Sequence, residues 1–510
     1  MRSRPAGDVV VGAGHNGLVA ACYLARAGRD VLVLEAMNRP GGGARTEETV
    51  PGYRFDMHSV AHNMINMTAI PDELDLAGAG LDYREMNPFS IAVHADGRRV
   101  RFFRSIEATV ESIAESSGAE ALAYRKLMEV SVPIVETVLP AIRGETPLRG
   151  LPARLRDLVR VLRRERLDVV RDLLGPYGSM LERRLPSDLT RGPVAAFAAH
   201  ASVGLALPGG SLFAFWQAAY HLCGQWHARG GAQALTDSLL TRLQSLGGNI
   251  RCDSPVSRIE TTGGRVDAVV TEAGERIPAK SVVTAIDPKA ALLELLHPPL
   301  AGRQGTDLAA ARRGNVVQAL VHVATDRLPP YANSRAGDWN GLQSYVDSLA
   351  DLGDGWAAAE AGLLPDPLPL YAFTTSAIDD SLAPPGHHTV YLACPAAPAR
   401  MRDGWPDGRE RFVEAALAAV EARAPGFRES IQGIATRTPD EMERTEHWPG
   451  GHPMHLDISL DQIGFLRPTR GLGRHRTPVE GLSGAGTAPT GGIVGTPGKK
   501  AAEAVLRDQR

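Results

Sequence analysis

Asp8-Val9-Val10-Val11-Gly12-Ala13-Gly14-His15-Asn16-Gly17 is the stretch that decides the fold. Asp8 to Val11 is short and β-branched, as a buried parallel strand requires. After the glycines, Leu18 to Ala27 is apolar and rich in alanine, which predicts a helix, with Gly28 in place to end it. Asp30 to Leu34 predicts a second strand, closed by Glu35. Together these give strand, GxGxxG turn, helix, strand and acid, the unit that binds a dinucleotide in a doubly wound α/β fold. Gly12 permits the tight turn, Gly14 lets a pyrophosphate approach the backbone, and Gly17 lets helix and strand pack closely. Asn16 belongs to the same site, at a helix N-terminus whose free N–H groups and dipole favour phosphate. Glu35 follows Gly14 by 21 residues, near the usual spacing for an acid that binds ribose hydroxyls, and it disfavours a 2′-phosphate.

The rest of the composition narrows the class. The chain has 510 residues, enough for about three domains or one large two-domain enzyme. The hydrophobic fraction of 44% and charged fraction of 22% exclude disorder as the main state. A net charge of −3 gives no basic field for nucleic acid. The four cysteines form no Cys-x-x-Cys pair, no zinc spacing and no HExxH motif exist, and no metal site is expected. Free thiols point to a reducing compartment. The apolar run after the N-terminal arginines breaks at once on Gly12 and Gly14, unlike a signal peptide, so the expected location is cytoplasmic.

Three further segments carry a family resemblance. The first is Arg39-Pro40-Gly41-Gly42-Gly43-Ala44-Arg45-Thr46, just after the second strand. The next is Arg229-Gly230-Gly231-Ala232-Gln233-Ala234-Leu235, which leads into a helix pattern to Leu246, Gly247-Gly248 and a strand-like run containing Val256. The last is Gly481-Leu482-Ser483-Gly484-Ala485-Gly486-Thr487, continuing through Gly491-Gly492-Ile493-Val494-Gly495 into a helix. This set resembles the FAD oxidoreductase superfamily of phytoene desaturases, flavin amine oxidases and Rab GDP-dissociation inhibitors. PGYRFD at 51–56, GGHP at 450–453 and Asp461-Gln462 resemble the phytoene desaturase-related subgroup, which includes carotene ketolases and the animal pyridine nucleotide-disulfide oxidoreductase domain protein 2. The resemblance implies FAD as cofactor. It places Gly42, Gly43, Ala44 and Arg45 at the pyrophosphate and flavin side, Val256 at the adenine, and Gly486, Gly492, Ile493 and Val494 near the flavin ring and ribityl chain. Amine oxidases usually carry an acid in the closing strand, where this chain has Ala485. A second GxGxxG is missing, which argues against a separate NAD(P) domain and leaves oxygen or a quinone as electron acceptor.

The expected architecture is a Rossmann-type FAD-binding domain from residues 1–75, 229–300 and 465–510. A substrate domain of mixed sheet plus helices takes 76–228 and 301–464, its helical part at about 105–228. Ten arginines lie between Arg154 and Arg191, interrupted by acids. They read either as a solvated helix face or as a peripheral membrane contact. Residues 192–228 hold no charged side chain, but Pro193, Pro208, Gly209 and Gly210 cut them too short to span a bilayer. They predict buried helices around an apolar cavity, walled by Phe197, His200, Phe213, Phe215, Trp216 and Tyr220. His58, His62, His452 and His455 are the candidate proton acceptors. The resemblance thus implies dehydrogenation of a largely apolar small molecule, with hydride passing to flavin N5 and a carotenoid-like polyene as the favoured substrate. A smaller natural-product intermediate, or binding without catalysis in the manner of the GDP-dissociation inhibitors, are the alternatives.

Overall fold

The computed structural model describes residues 7–145, 153, 156, 166–200, 203–462, 466–470, 472, 478–479, 481–487 and 492–507. The first sheet has a parallel core. Its order is Asn249–Arg251, Val31–Leu34, Gly7–Val11, Arg276–Thr284 and Gly481–Leu482. Asp8–Val11 pair with Val31–Leu34 on one side and with Ser281–Thr284 on the other, so the first strand is buried between neighbours. Two antiparallel strands, Val256–Thr262 and Arg265–Thr271, extend the sheet from the N-terminal half of the long strand. Helices His15–Arg26, Gln233–Ser245 and Thr496–Arg507 cover the parallel part with an alanine- and leucine-rich core.

The glycines of the opening motif divide by role. Gly12 has φ +97°, where a side chain is strained. A Cβ on Gly17 would stand 2.1 Å from the Gly12 carbonyl oxygen, so only glycine lets the helix start this close to the turn. A Cβ on Gly14 would meet nothing within 4 Å.

The second sheet is largely antiparallel, in the order Ile431–Arg437, Val316–Thr325, His388–Pro398, Tyr371–Phe373, Leu342–Ser344, Ser90–Val93, Arg99–Phe102. Side chains alternate across it. Ala319, Val321, Leu392 and Cys394 point to one face and pack with helix Trp405–Glu421. Leu320, Leu342, Tyr371, Phe373 and Tyr391 point to the other, toward helices Gly118–Ile142 and Asp188–Ala199. Ser105, Ser117 and Ser187 cap three of the helices on that side through side-chain oxygens that accept backbone N–H bonds.

The described residues of 192–228 include the end of helix Asp188–Ala199, helices Ser211–Phe215 and Gln217–Cys223, and strand Trp226–Ala228. Arg154, Arg160, Arg163 and Arg164 of the arginine-rich stretch lie outside the described residues. Within it, Arg183 and Arg184 both bond the buried Asp172 carboxylate, at 2.5 and 2.6 Å. Helix Arg166–Leu174 turns Leu167, Val170 and Leu174 outward, exposed by 79%, 50% and 62%. Their spacing puts them on one stripe. Among the described residues, no helix is long and apolar enough to cross a membrane.

Candidate active site

The carboxyl ends of the parallel strands open into one cavity of about 810 Å³. Val11-Gly12, Leu34-Glu35 and Ala285-Ile286 line its mouth end, where strand order reverses about the first strand. Open α/β sheets place their ligands at such a crevice. The triple glycine folds directly onto the opening turn. Gly41 N–H donates to the Ala13 carbonyl at 2.9 Å, Gly41 and Gly14 form a bridge, and a Cβ on Gly42 would stand 3.3 Å from the Gly14 Cα. The closing segment reaches the same turn. The Ser483 hydroxyl donates to the Asn16 carbonyl at 2.9 Å, and the His15 ring bonds the Gly492 carbonyl at 3.1 Å. Three separate stretches of the chain, the last more than 400 positions from the first two, thus share one wall.

This wall suits a dinucleotide. Helix His15–Arg26 has no side-chain cap and no acid in its first turn, so its N-terminal N–H groups are left for an anion. Gly14 keeps the space beside them clear. Glu35 accepts N–H bonds from Ala13 at 2.7 Å and Met37 at 3.0 Å, which fix its carboxylate at the crevice with lone pairs to spare for ribose hydroxyls. Val256 lines the same end. Asn16, His58, Asn63, Gln225, Glu446 and His455 all line the cavity, and each has a buried polar atom without a protein partner. Orphaned polar atoms are scarce in native proteins, so their gathering around one space marks a ligand with many hydrogen-bonding groups.

Beyond the crevice the cavity becomes an aromatic chamber. Phe197, Phe213, Trp216, Tyr220, Tyr371, Phe373 and Tyr391 line it, with His200, Gln225 and Gln318 as polar exceptions. Trp448 stands between the two parts. A Cβ on Gly43 would come 3.4 Å from its ring, and His58 meets it edge-on at 5.3 Å. The imidazoles of His15, His58 and His455 are held neutral, since burial brings each down to about 4. His455 also sits at φ +63°, an uncommon backbone for a non-glycine residue.

Several expected site residues stand elsewhere. Ala44 and Arg45 lie behind the glycine wall. The buried Arg45 guanidinium donates to Glu446 at 2.6 Å and to the Gly42 carbonyl at 3.1 Å, so it braces the loop instead of facing the cavity. Gly486 is a packing glycine: a Cβ there would be 2.6 Å from Pro288, while Gly484 and Ala485 line the cavity. Val494 is buried behind Gly492 and Ile493, which do line it. Gly17 serves packing alone, as its spacing implies. His62 is fully buried against the Tyr83 hydroxyl at 2.9 Å, and His452 faces Asp457 at 3.4 Å. Neither lines the cavity, whereas His58 and His455 do. Phe215 turns into the core: Phe213, Trp216 and Tyr220 follow helical spacing on one stripe that lines the cavity, and Phe215 falls on another face. His15 and Trp448 went unassigned from sequence. The motif leaves position 15 open to any residue, and only the neighbouring histidines drew attention to the segment of Trp448.

A family model described as flavin containing amine oxidoreductase matches residues 17–420. The chain is 29% identical to the mouse (Mus musculus) pyridine nucleotide-disulfide oxidoreductase domain-containing protein 2, over 99% of this chain and 94% of that protein. It is also 29% identical to the phytoene dehydrogenase of Streptomyces griseus, over 98% of this chain and 94% of that protein. The crystal structure of an oxidoreductase from Methanosarcina mazei shares the fold at a TM-score of 0.63 and 15% identity, covering 98% of this chain and 99% of its own.

Proposed function

This chain belongs to the flavin containing amine oxidoreductase family, and from that premise we propose that it dehydrogenates a largely apolar small molecule, a carotenoid-like polyene being the substrate class. It is an FAD-dependent oxidoreductase. The observation that carries the substrate reading is the continuity of one cavity from the dinucleotide crevice into the aromatic chamber.

The backbone of Gly12 to Gly14, the helix N-terminus at His15 and the Glu35 carboxylate would hold the pyrophosphate and ribose. Gly42, Gly43, Gly492 and Ile493 would border the redox-active end. Bound FAD supplies the two-electron acceptor for a substrate C–H bond. The chain's own part is placement. The aromatic walls orient an apolar chain against the cofactor and keep water out, and orientation alone is worth several kcal/mol of barrier. A proton must leave the neighbouring carbon as well. His58, uncharged and beside Trp448, is the residue we assign to take it. Imidazole of such low basicity is a weak acceptor, but a C–H bond next to a carbon that has lost hydride is strongly acidic and needs no more. Oxygen or a quinone then completes the cycle.

The name of the Streptomyces relative supports a polyene. The size of the cavity favours a second reading, a smaller natural-product intermediate, because about 810 Å³ must take the dinucleotide and the substrate together. Extraction and mass analysis of ligand co-purified with the protein separates the two. Anaerobic mixing with polyenes and with smaller unsaturated precursors tests the reaction itself. Bleaching of the flavin absorbance by an apolar substrate is the expected result, and reduction only by polar amines would refute it. We also propose peripheral contact with an anionic membrane through Leu167, Val170 and Leu174, whose exposure in an arginine-rich region supports it. Sedimentation with anionic vesicles tests this, and unchanged binding by Leu167→Glu/Leu174→Glu would remove that stripe from the contact.

A further inference from the structure

We propose that His15 is a positioning residue that latches the closing loop to the opening glycine turn and thereby sets the affinity for FAD. The inference rests on the cofactor assignment above. The His15 ring and the Gly492 carbonyl are separated by 477 positions in the chain, yet they bond at 3.1 Å. A carbonyl only accepts, so Nε2 must carry the proton. Burial favours the uncharged ring, which holds a single N–H, and this bond uses it.

Among the described residues, the bond falls between two other points where the closing segment meets the turn and the first helix. On one flank Ser483 donates to the Asn16 carbonyl at 2.9 Å. On the other flank Gly498 packs so tightly on the first helix that a Cβ would stand 2.2 Å from the Asn16 carbonyl oxygen. Between those anchors Gly492 takes φ +94° and, with Ile493, lines the cavity. Among the described residues, His15 is therefore the side chain of the opening turn that bonds the cavity-facing Gly492. With the latch broken, Gly492 and Ile493 lose this hold beside the cofactor while both anchors remain.

His15→Phe keeps a ring of similar size and removes the donor. His15→Gln keeps an N–H donor and removes the ring. The full-length chain, stripped of flavin, is titrated with FAD and followed by quenching of flavin fluorescence, with the thermal midpoint of each flavin-free variant recorded beside it. The latch predicts that His15→Phe binds FAD about tenfold more weakly, the worth of one hydrogen bond, at a thermal midpoint close to that of the unsubstituted chain. His15→Gln should stay within about threefold, since its amide supplies the same kind of bond. Where phenylalanine is not accommodated, His15→Ala against His15→Gln makes the same comparison. Equal loss in the donor-free and donor-bearing variants, or no loss in either, would overturn the latch. Failure of the unsubstituted chain to take up FAD would instead strike the cofactor assignment.

Discussion

The two ends of the cavity are built by opposite means. At the crevice much of the surface is backbone: Gly12, Gly14, Gly42, Gly43 and Gly492 line it, beside side chains such as Asn16, Glu35 and Val256. In the chamber the surface is side chain: seven aromatic rings from helices and from one face of the second sheet fill the wall. A backbone surface is fixed by what it forbids, because any Cβ obstructs either the ligand or the fold. An aromatic surface is fixed by volume and direction, and one ring can stand in for another. The crevice should therefore respond to single substitutions in an all-or-none way, and the chamber by degrees.

The largest effects separate the two kinds of glycine within the crevice. Gly17→Ala drives a Cβ into the Gly12 carbonyl and toward Ala285, so chemical denaturation should show a loss of about 3 kcal/mol or more in the flavin-free protein. Gly14→Val meets no protein atom at its Cβ. It should leave stability near that of the unsubstituted chain while FAD affinity falls at least about 100-fold, the loss of two or more strong hydrogen bonds. Equal destabilisation by both would erase the division. Glu35→Ala comes next, with FAD binding weakened about 10- to 100-fold through lost bonds to a charged acceptor. On the chamber side, Phe213→Ala should raise KM for the apolar substrate about tenfold and leave FAD affinity unchanged, since its contribution is buried apolar area. A drop in FAD affinity there would show that the two ends are not separable.

A pH titration sharpens the same contrast from the histidines. Burial lowers His15, His58 and His455 to about 4 and His62 to about 3, from an ordinary 6.5. Between those values the unfolded chain binds more protons than the folded one, so stability falls as pH falls from about 6.5 toward 4. His227 works in the other direction. Burial, the largest single influence, pulls it down, but its bond to Asp379 at 3.1 Å, the nearby Asp56 carboxyl and the Val60 carbonyl together outweigh this and leave it raised, so its contribution is kept at low pH. Burial also lowers His200, His221, His322 and His388, so among the described residues eight lowered rings against one raised ring predict net acid destabilisation of the flavin-free protein, measured by thermal midpoint, and His58→Asn should flatten the slope slightly.

The crevice was legible in the sequence because its demands are local. A turn with positive φ, a close helix start and an acid at the end of the second strand each leave a mark within a few residues. Arg45 shows where that logic stops. Its charge fits a pyrophosphate as well as a carboxylate, and its partner Glu446 lies 401 positions away, beyond any pattern in the neighbouring chain. The chamber was legible as composition only. The uncharged run 192–228 gave its aromatic supply, but which rings face inward depends on which face of helices Ser211–Phe215 and Gln217–Cys223 meets the cavity, and Phe215 falls on the other one. The sheet half of the wall, Tyr371, Phe373 and Tyr391, carried no signal apart from strand alternation, since both faces of that sheet are buried.

The most direct measurement is an experimental structure of the FAD-loaded protein. The account predicts the pyrophosphate within hydrogen-bond reach of the backbone at Gly14 and His15, ribose hydroxyls on Glu35, and the ring system between Gly43 and Gly492. Flavin bound away from the junction of the opening turn, the triple glycine and the closing loop would contradict it.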